Sequence, residues 1–160
     1  MQIQTTRFGT VQVDDEQIIS FAQGLIGFES HRQFVLLPAA QNAGFYWLQA
    51  ADDPEVAFLV TDPDAFFKDY DVPIREETQQ DLQLADTKDG RVLVICNRSG
   101  DWLTGNLMGP LVINTASRMG EQVVLTEKKW TCRQPLLQLA GKSAAGGKSL
   151  ASEKSVARAA

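Results

Sequence analysis

Residues that carry most nucleophilic and metal chemistry are nearly missing from this chain: among 160 residues there is one histidine, His31, and two cysteines, Cys96 and Cys132. No motif places a serine or cysteine nucleophile beside His31, which is expected on an exposed loop near Glu29 and Arg32. The cysteines stand too far apart for a Cys-x-x-Cys pair or half a zinc site. Each falls in an apparent strand and reads as a reduced, half-buried thiol acting as a small hydrophobe. Long apolar runs are missing as well. The longest, such as 92–96, reach five residues, against the roughly 20 needed to cross a bilayer. The start, Met1-Gln2-Ile3-Gln4, lacks the basic, apolar and small-residue order of a signal peptide. These absences predict a cytoplasmic protein with no membrane partner and no catalytic centre.

Ligand loops are absent too. Gly24-Leu25-Ile26-Gly27 lacks the Lys-Ser/Thr that completes a phosphate loop, and its glycines are too few for a dinucleotide fingerprint. It reads as a turn that needs positive φ or a close backbone approach. The acidic groups, Asp14-Asp15-Glu16, Asp52-Asp53, and Asp62, Asp64, Asp69 and Asp71, have neither the glycine nor the closing glutamate of a calcium loop. No cofactor and no metal is expected, and caps, turns and a solvated acidic face account for the carboxylates.

Charge is distributed unevenly. Residues 1–140 hold 11 basic and 19 acidic residues, net −8, whereas 141–160 hold four basic residues and Glu153, net +3. An acidic body repels phosphate backbones and steers towards basic partners, which disfavours direct nucleic-acid binding by the body. The 141–160 stretch is rich in Gly, Ser, Ala and Lys and poor in large apolar residues, so it is expected to be a basic, disordered tail after a domain at 1–140.

Short β-like runs dominate that domain: 10–13, 18–21, 34–37, 45–50, 56–61, 91–97, 102–107, 111–114, 122–126 and 130–133. Broken by Gly, Pro, Asp and Asn, they predict a mostly β, compact, antiparallel barrel or sandwich-like single domain. Asp89-Gly90 and Ser99-Gly100 supply turn chemistry. Val92-Leu93-Val94-Ile95 is apolar at every position and is expected to be central and covered on both faces. Two short helices are predicted, one capped by Asp62 ahead of Pro63 and one following Pro73. The aromatics Phe45-Tyr46-Trp47 and Phe66-Phe67 read as core packing or a protein-binding patch.

Three blocks in order resemble the family of the flagellar assembly factor FliW. The first is Phe21-Ala22-Gln23-Gly24-Leu25-Ile26-Gly27-Phe28-Glu29 with Phe34-Val35-Leu36-Leu37. The second runs from Trp47-Leu48-Gln49 through Ala57-Phe58-Leu59-Val60 and Asp62-Pro63 to Asp69-Tyr70. The third is Asn106-Leu107-Met108-Gly109-Pro110-Leu111-Val112-Ile113-Asn114, continuing to Gln122-Val123-Val124-Leu125 and 130–136. The pattern departs at Gly109, where the family often has alanine, and at Trp130, where tyrosine is common.

This resemblance implies a β-barrel-like protein with two protein partners, flagellin and the RNA-binding translational repressor CsrA. Freed of flagellin, such a protein antagonises CsrA and releases flagellin translation, so it acts as a partner switch and not a catalyst. The resemblance favours Phe66, Asp69, Tyr70 and Asp71 as one contact segment and Asn106, Leu107, Pro110 and Asn114 as another. Tyr70 is equally readable as a core-capping turn residue, and 111–113 as plain core strand. Pro110 cannot donate to a ladder, which suggests a bulge or an edge at that segment. Rival readings are a flavin-type cofactor binder on a split barrel and a direct RNA binder using the aromatics and the basic tail.

Overall fold

The computed structural model describes residues 1–39 and 44–139. The basic stretch 141–160 lies outside the described residues. In chain order the strands are β1 (Gln2–Thr5), β2 (Gly9–Gln12), β3 (Ile19–Phe21), β4 (Gln33–Pro38), β5 (Phe45–Ala50) and β6 (Ala57–Thr61). One α-helix, α1 (Glu76–Asp81), follows, and then β7 (Gly90–Ser99), β8 (Trp102–Gly105), β9 (Leu111–Asn114), β10 (Met119–Gln122) and β11 (Gln134–Gln138). Strands β3, β4, β5, β6 and β7 pair in succession, β10 joins β3 to β9, and β9 pairs back onto β7, which closes a seven-stranded barrel. All of these pairings are antiparallel except β3–β10, which is parallel.

Alternation along the strands divides the apolar residues between two sides. Phe34, Leu48, Phe58, Val60, Leu93, Ile95, Leu111 and Ile113 point inward and fill the barrel together with Ile19 and Phe21. Phe21 and Phe34 meet edge to face at 5.6 Å between centroids, a favoured quadrupole arrangement. The outward residues are covered in patches. The β1–β2 hairpin lays Ile3 and Val13 over Val35. Leu136 and Leu137 of β11 cover Trp47, Leu59 and Cys96, and Leu82 and Leu84, just after α1, cover Val112. Val94 lies beneath Tyr70, Leu107 and Trp130. The unbroken 92–95 run is thus a strand with packing on both faces, as its composition implied.

Three strand readings need correction. The run at 122–126 is a strand only to Gln122; beyond it, Val123 and Leu125 donate single hydrogen bonds to Pro110 and Met108 without forming a ladder. The strand expected at 130–133 begins four residues later, at Gln134, because Trp130 leaves the sheet line to plug the outer core. Pro135 is tolerated there because β11 is the outermost strand and its pairing with β8 is interrupted by a register shift. β1 was not foreseen; only Ile3 and Thr5 of its Gln-Ile-Gln-Thr run are buried, a weak signal. The helical stretch expected after Asp62 is a single 3-10 turn, Pro63–Ala65. Another 3-10 turn, Thr87–Asp89, replaces the Asp89-Gly90 turn, with Asp86 capping the Lys88 amide. Cys96 is fully buried, while Cys132 is exposed and outside any strand, so neither is half-buried. No described helix is long and apolar enough to cross a membrane.

Two glycines are demanded by close approach. Gly24 has φ +68° and a Cβ there would lie 2.6 Å from the Glu29 Cα, so the turn from β3 admits no side chain. At Gly120 a Cβ would stand 2.7 Å from the ring of the fully buried Phe21, inside the barrel. Gly120→Ala should therefore destabilise the fold by about 1–3 kcal/mol, read as a lower urea midpoint with an unchanged slope.

Candidate functional site

β7 and the strand that returns beside it determine the geometry of the site. Cys96 pairs with Gly105, and Leu93 pairs with Leu111, so two residues of β7 face the five residues 106–110 on the returning chain. The surplus bulges outward. Asn106 stabilises the bulge, its Oδ1 accepting from the Met108 and Gly109 amides at 3.2 and 3.0 Å. The bulge suggested by Pro110 is present, but an edge is not, because β9 is flanked by β7 and β10.

The second segment meets this bulge. Tyr70, between exposed Asp69 and Asp71, turns inward and donates its hydroxyl to the Leu107 carbonyl at 2.6 Å. Trp130 meets its ring edge to face at 5.2 Å and also meets Phe67 at 5.2 Å. Asp69 pairs with Lys129, which pulls its carboxyl below the usual carboxylate range and raises the lysine. Lys129 and Trp130 are the residues sequence reasoning missed, and nothing local in the sequence joins them to Asp69 and Tyr70.

The eight residues singled out earlier fall into two groups. Asp69 and Asp71 are exposed, and Phe66 and Asn106 are partly so; Phe66 leans on Phe45 at 6.2 Å. Tyr70, Leu107, Pro110 and Asn114 are buried. Asn114 donates to the Leu82 and Gln83 carbonyls at 2.8 and 3.1 Å and accepts from the Ala116 amide. The polar groups of these four are engaged inside the protein, where leaving them unpaired would be costly. They hold the exposed residues in place.

Asp71 borders a cleft of about 430 Å³ whose wall also carries Asp62, Asp64, Lys88 and Arg91. Arg91 reaches Asp62 at 3.4 Å and lies over the Tyr46 ring, so part of the acidic charge is balanced locally. His31 is not free on its loop, since its Nδ1 is 3.0 Å from Asp52. Among the described residues no three His, Cys, Asp or Glu side chains converge as a metal set would. The arrangement offers charge, shape and exposed backbone, which suit binding.

Burial holds the Tyr70 phenol protonated well above the ordinary tyrosine range, so it remains a donor. The stability tied to that raised value is complete below about pH 10, the unfolded value, and is lost as pH climbs towards the folded one. Tyr70→Phe should cost about 1–2 kcal/mol by urea unfolding at neutral pH, and should flatten the alkaline loss of stability seen in the parent chain. Asp71→Lys, on the exposed neighbour, should change stability by less than about 0.5 kcal/mol.

Comparison with known proteins places this geometry in a family. A family model described as FliW protein matches residues 2–136. A flagellar assembly factor FliW from Moorella thermoacetica is 40% identical over 141 residues, covering 86% of this chain and 89% of that protein. One from Magnetococcus marinus is 37% identical over 140 residues, covering 86% and 85%. A crystal structure of the flagellar assembly factor FliW matches with a TM-score of 0.78 at 31% identity, over 86% of this chain and 97% of that one. With sequence and barrel matched over nearly the whole described length, the chain belongs to the FliW family.

Proposed function

We propose that this chain is a non-enzymatic cytoplasmic switch that binds flagellin and the translational repressor CsrA in alternation, so that flagellin consumption frees it to relieve repression of flagellin translation. The observation that carries this reading is a body of net −8 in which exposed Asp71 and the Lys129-paired Asp69 stand on either side of a buried tyrosine. A repressor that grips RNA needs positive surface. An acidic body docked beside that surface lowers its potential and weakens RNA binding without covering the RNA site.

Asp71, Asp69, Phe66 and Asn106 are proposed as contact residues, with Tyr70, Leu107, Pro110 and Asn114 as their scaffold. A rigid scaffold favours this use, because fewer side chains must be ordered when the partner arrives. The barrel interior is filled by Phe21, Phe34, Phe58 and their aliphatic neighbours, which leaves no room for a ligand inside it. The −8 body likewise works against direct RNA binding.

Binding of CsrA to the purified chain, followed by calorimetry, is expected to weaken by about tenfold or more between low and high salt. Asp71→Lys should reduce capture of CsrA or flagellin by a similar factor with an unchanged circular dichroism spectrum. Salt-independent affinity together with full capture by the Asp71 variant would remove the electrostatic mechanism, and recovery of neither partner from a motile host would remove the function.

A further inference from the structure

The chain just after β10 leaves a strand edge uncovered. On one side β10 pairs with β9, and the pattern continues past its end, with the Val123 and Leu125 amides donating to the Pro110 and Met108 carbonyls at 2.9 and 2.8 Å. On the other side β10 pairs with β3 only at Met119 and Gly120, because β3 ends at Phe21 and the chain turns away at Gly24. Gln122 closes the gap with its side chain, accepting from the Ile26 amide at 2.8 Å and donating to the Gly109 carbonyl at 2.9 Å. Beyond it, strand alternation directs the Val124 and Thr126 amides to the side that β3 has left. Neither amide has a hydrogen-bond partner among the described residues.

What surrounds this edge differs on its two faces. On the face shared with Gln122 are the exposed side chains of Val124, 60% accessible, and Ile26, 58% accessible. Towards α1, on the side to which Glu121 reaches, a groove runs between residues 121–127 and the helix, and Gln122 and Val124 also border it. Its walls carry Glu77, Asp81, Glu121 and Glu127 against one cation, Arg75. Thr78 fixes Glu121 across the groove with a 2.9 Å hydrogen bond. A strand added at this edge would present successive side chains to opposite faces, so one set would meet the apolar pair and the other the carboxylates.

We infer that residues 123–127 form a β-augmentation site that receives an extended partner segment of alternating basic and apolar residues. This deepens the protein-binding reading above and rests on it for the identity of the natural partner. Unpaired edge amides supply the backbone attraction, and alternate side chains supply the selectivity.

A short blocked peptide of alternating lysine and valine is the probe, titrated into the full 160-residue chain and followed by amide NMR, with a glutamate–valine peptide as control. The lysine peptide should shift Val124 and Thr126 and slow their hydrogen exchange, and the glutamate peptide should not. Val124→Pro removes an outward amide while sparing the inward bonds made by the Val123 and Leu125 amides. It should weaken the peptide by about tenfold, the equivalent of one backbone hydrogen bond. Glu127→Lys, at an exposed position, should weaken it severalfold without touching the backbone.

Shifts confined to other surfaces, equal binding of both peptides, or protection of Val124 and Thr126 before any peptide is added would each overturn the inference. The last result would show the edge already taken, by the chain's own 141–160 stretch if deleting it abolishes the protection, or by a second copy if dilution does. No response of Val124 and Thr126 to the lysine peptide in the parent chain, with flagellin or CsrA captured at full strength by both the parent and Val124→Pro, would sink the edge and leave the partners standing. Peptide binding at the edge with neither partner captured would sustain the edge and remove those partners.

Discussion

Closure of the barrel through β7 is the constraint on which the other features depend. That ten-residue strand pairs with β9 over its first four residues, with β6 at Val94 and Ile95, and with β8 over its last four. Because buried backbone groups must find partners, a strand engaged along both edges fixes the register of everything beside it. The returning chain has more residues than β7 can pair, and the surplus becomes the bulge at 106–110. Without closure there would be no surplus to expel and no bulge to which Tyr70 could be tied.

A small closed barrel has a second consequence. Its interior is full of side chains, so the outward apolar residues need covering by something else. Here a hairpin, a short helix with its following loop, and an edge strand each cover one patch. The covers bring charge with them. Asp69, Asp71, Glu77 and Asp81 belong to the connection between β6 and β7, which must cross the outer face and therefore carries its carboxylates onto it. Part of the surface acidity and part of the outer-core packing thus come from one segment of chain.

Surface function follows from this division of labour. The buried residues of the candidate site hold geometry, and the exposed ones carry charge to the solvent face. Tyr70 shows why the two cannot be exchanged: its hydroxyl is already spent on the Leu107 carbonyl, so breaking that bond to reach a partner would leave a buried acceptor unsatisfied. The scaffold therefore favours recognition by charge and by backbone edges over recognition by an everted aromatic anchor.

Much of this was legible in the sequence, through local periodicity and composition. The strands at 34–37, 45–50 and 111–114, the double-sided burial of 92–95, the turn at Gly24 and the acidic balance all depend on near neighbours or on counting. Family membership was legible as well, from ordered blocks spread over the chain. What sequence left open were the matters that depend on residues far apart meeting. It could not choose between an outward and an inward Tyr70, because the carbonyl that decides is at residue 107 and the ring that packs on it is at 130. It read 122–126 as an ordinary strand, since Val-Val-Leu looks the same whether a neighbour pairs with it or turns away at Gly24. Propensity is a property of a segment, whereas burial, edges and hydrogen-bond partners belong to the closed sheet, and only the tertiary structure decided them.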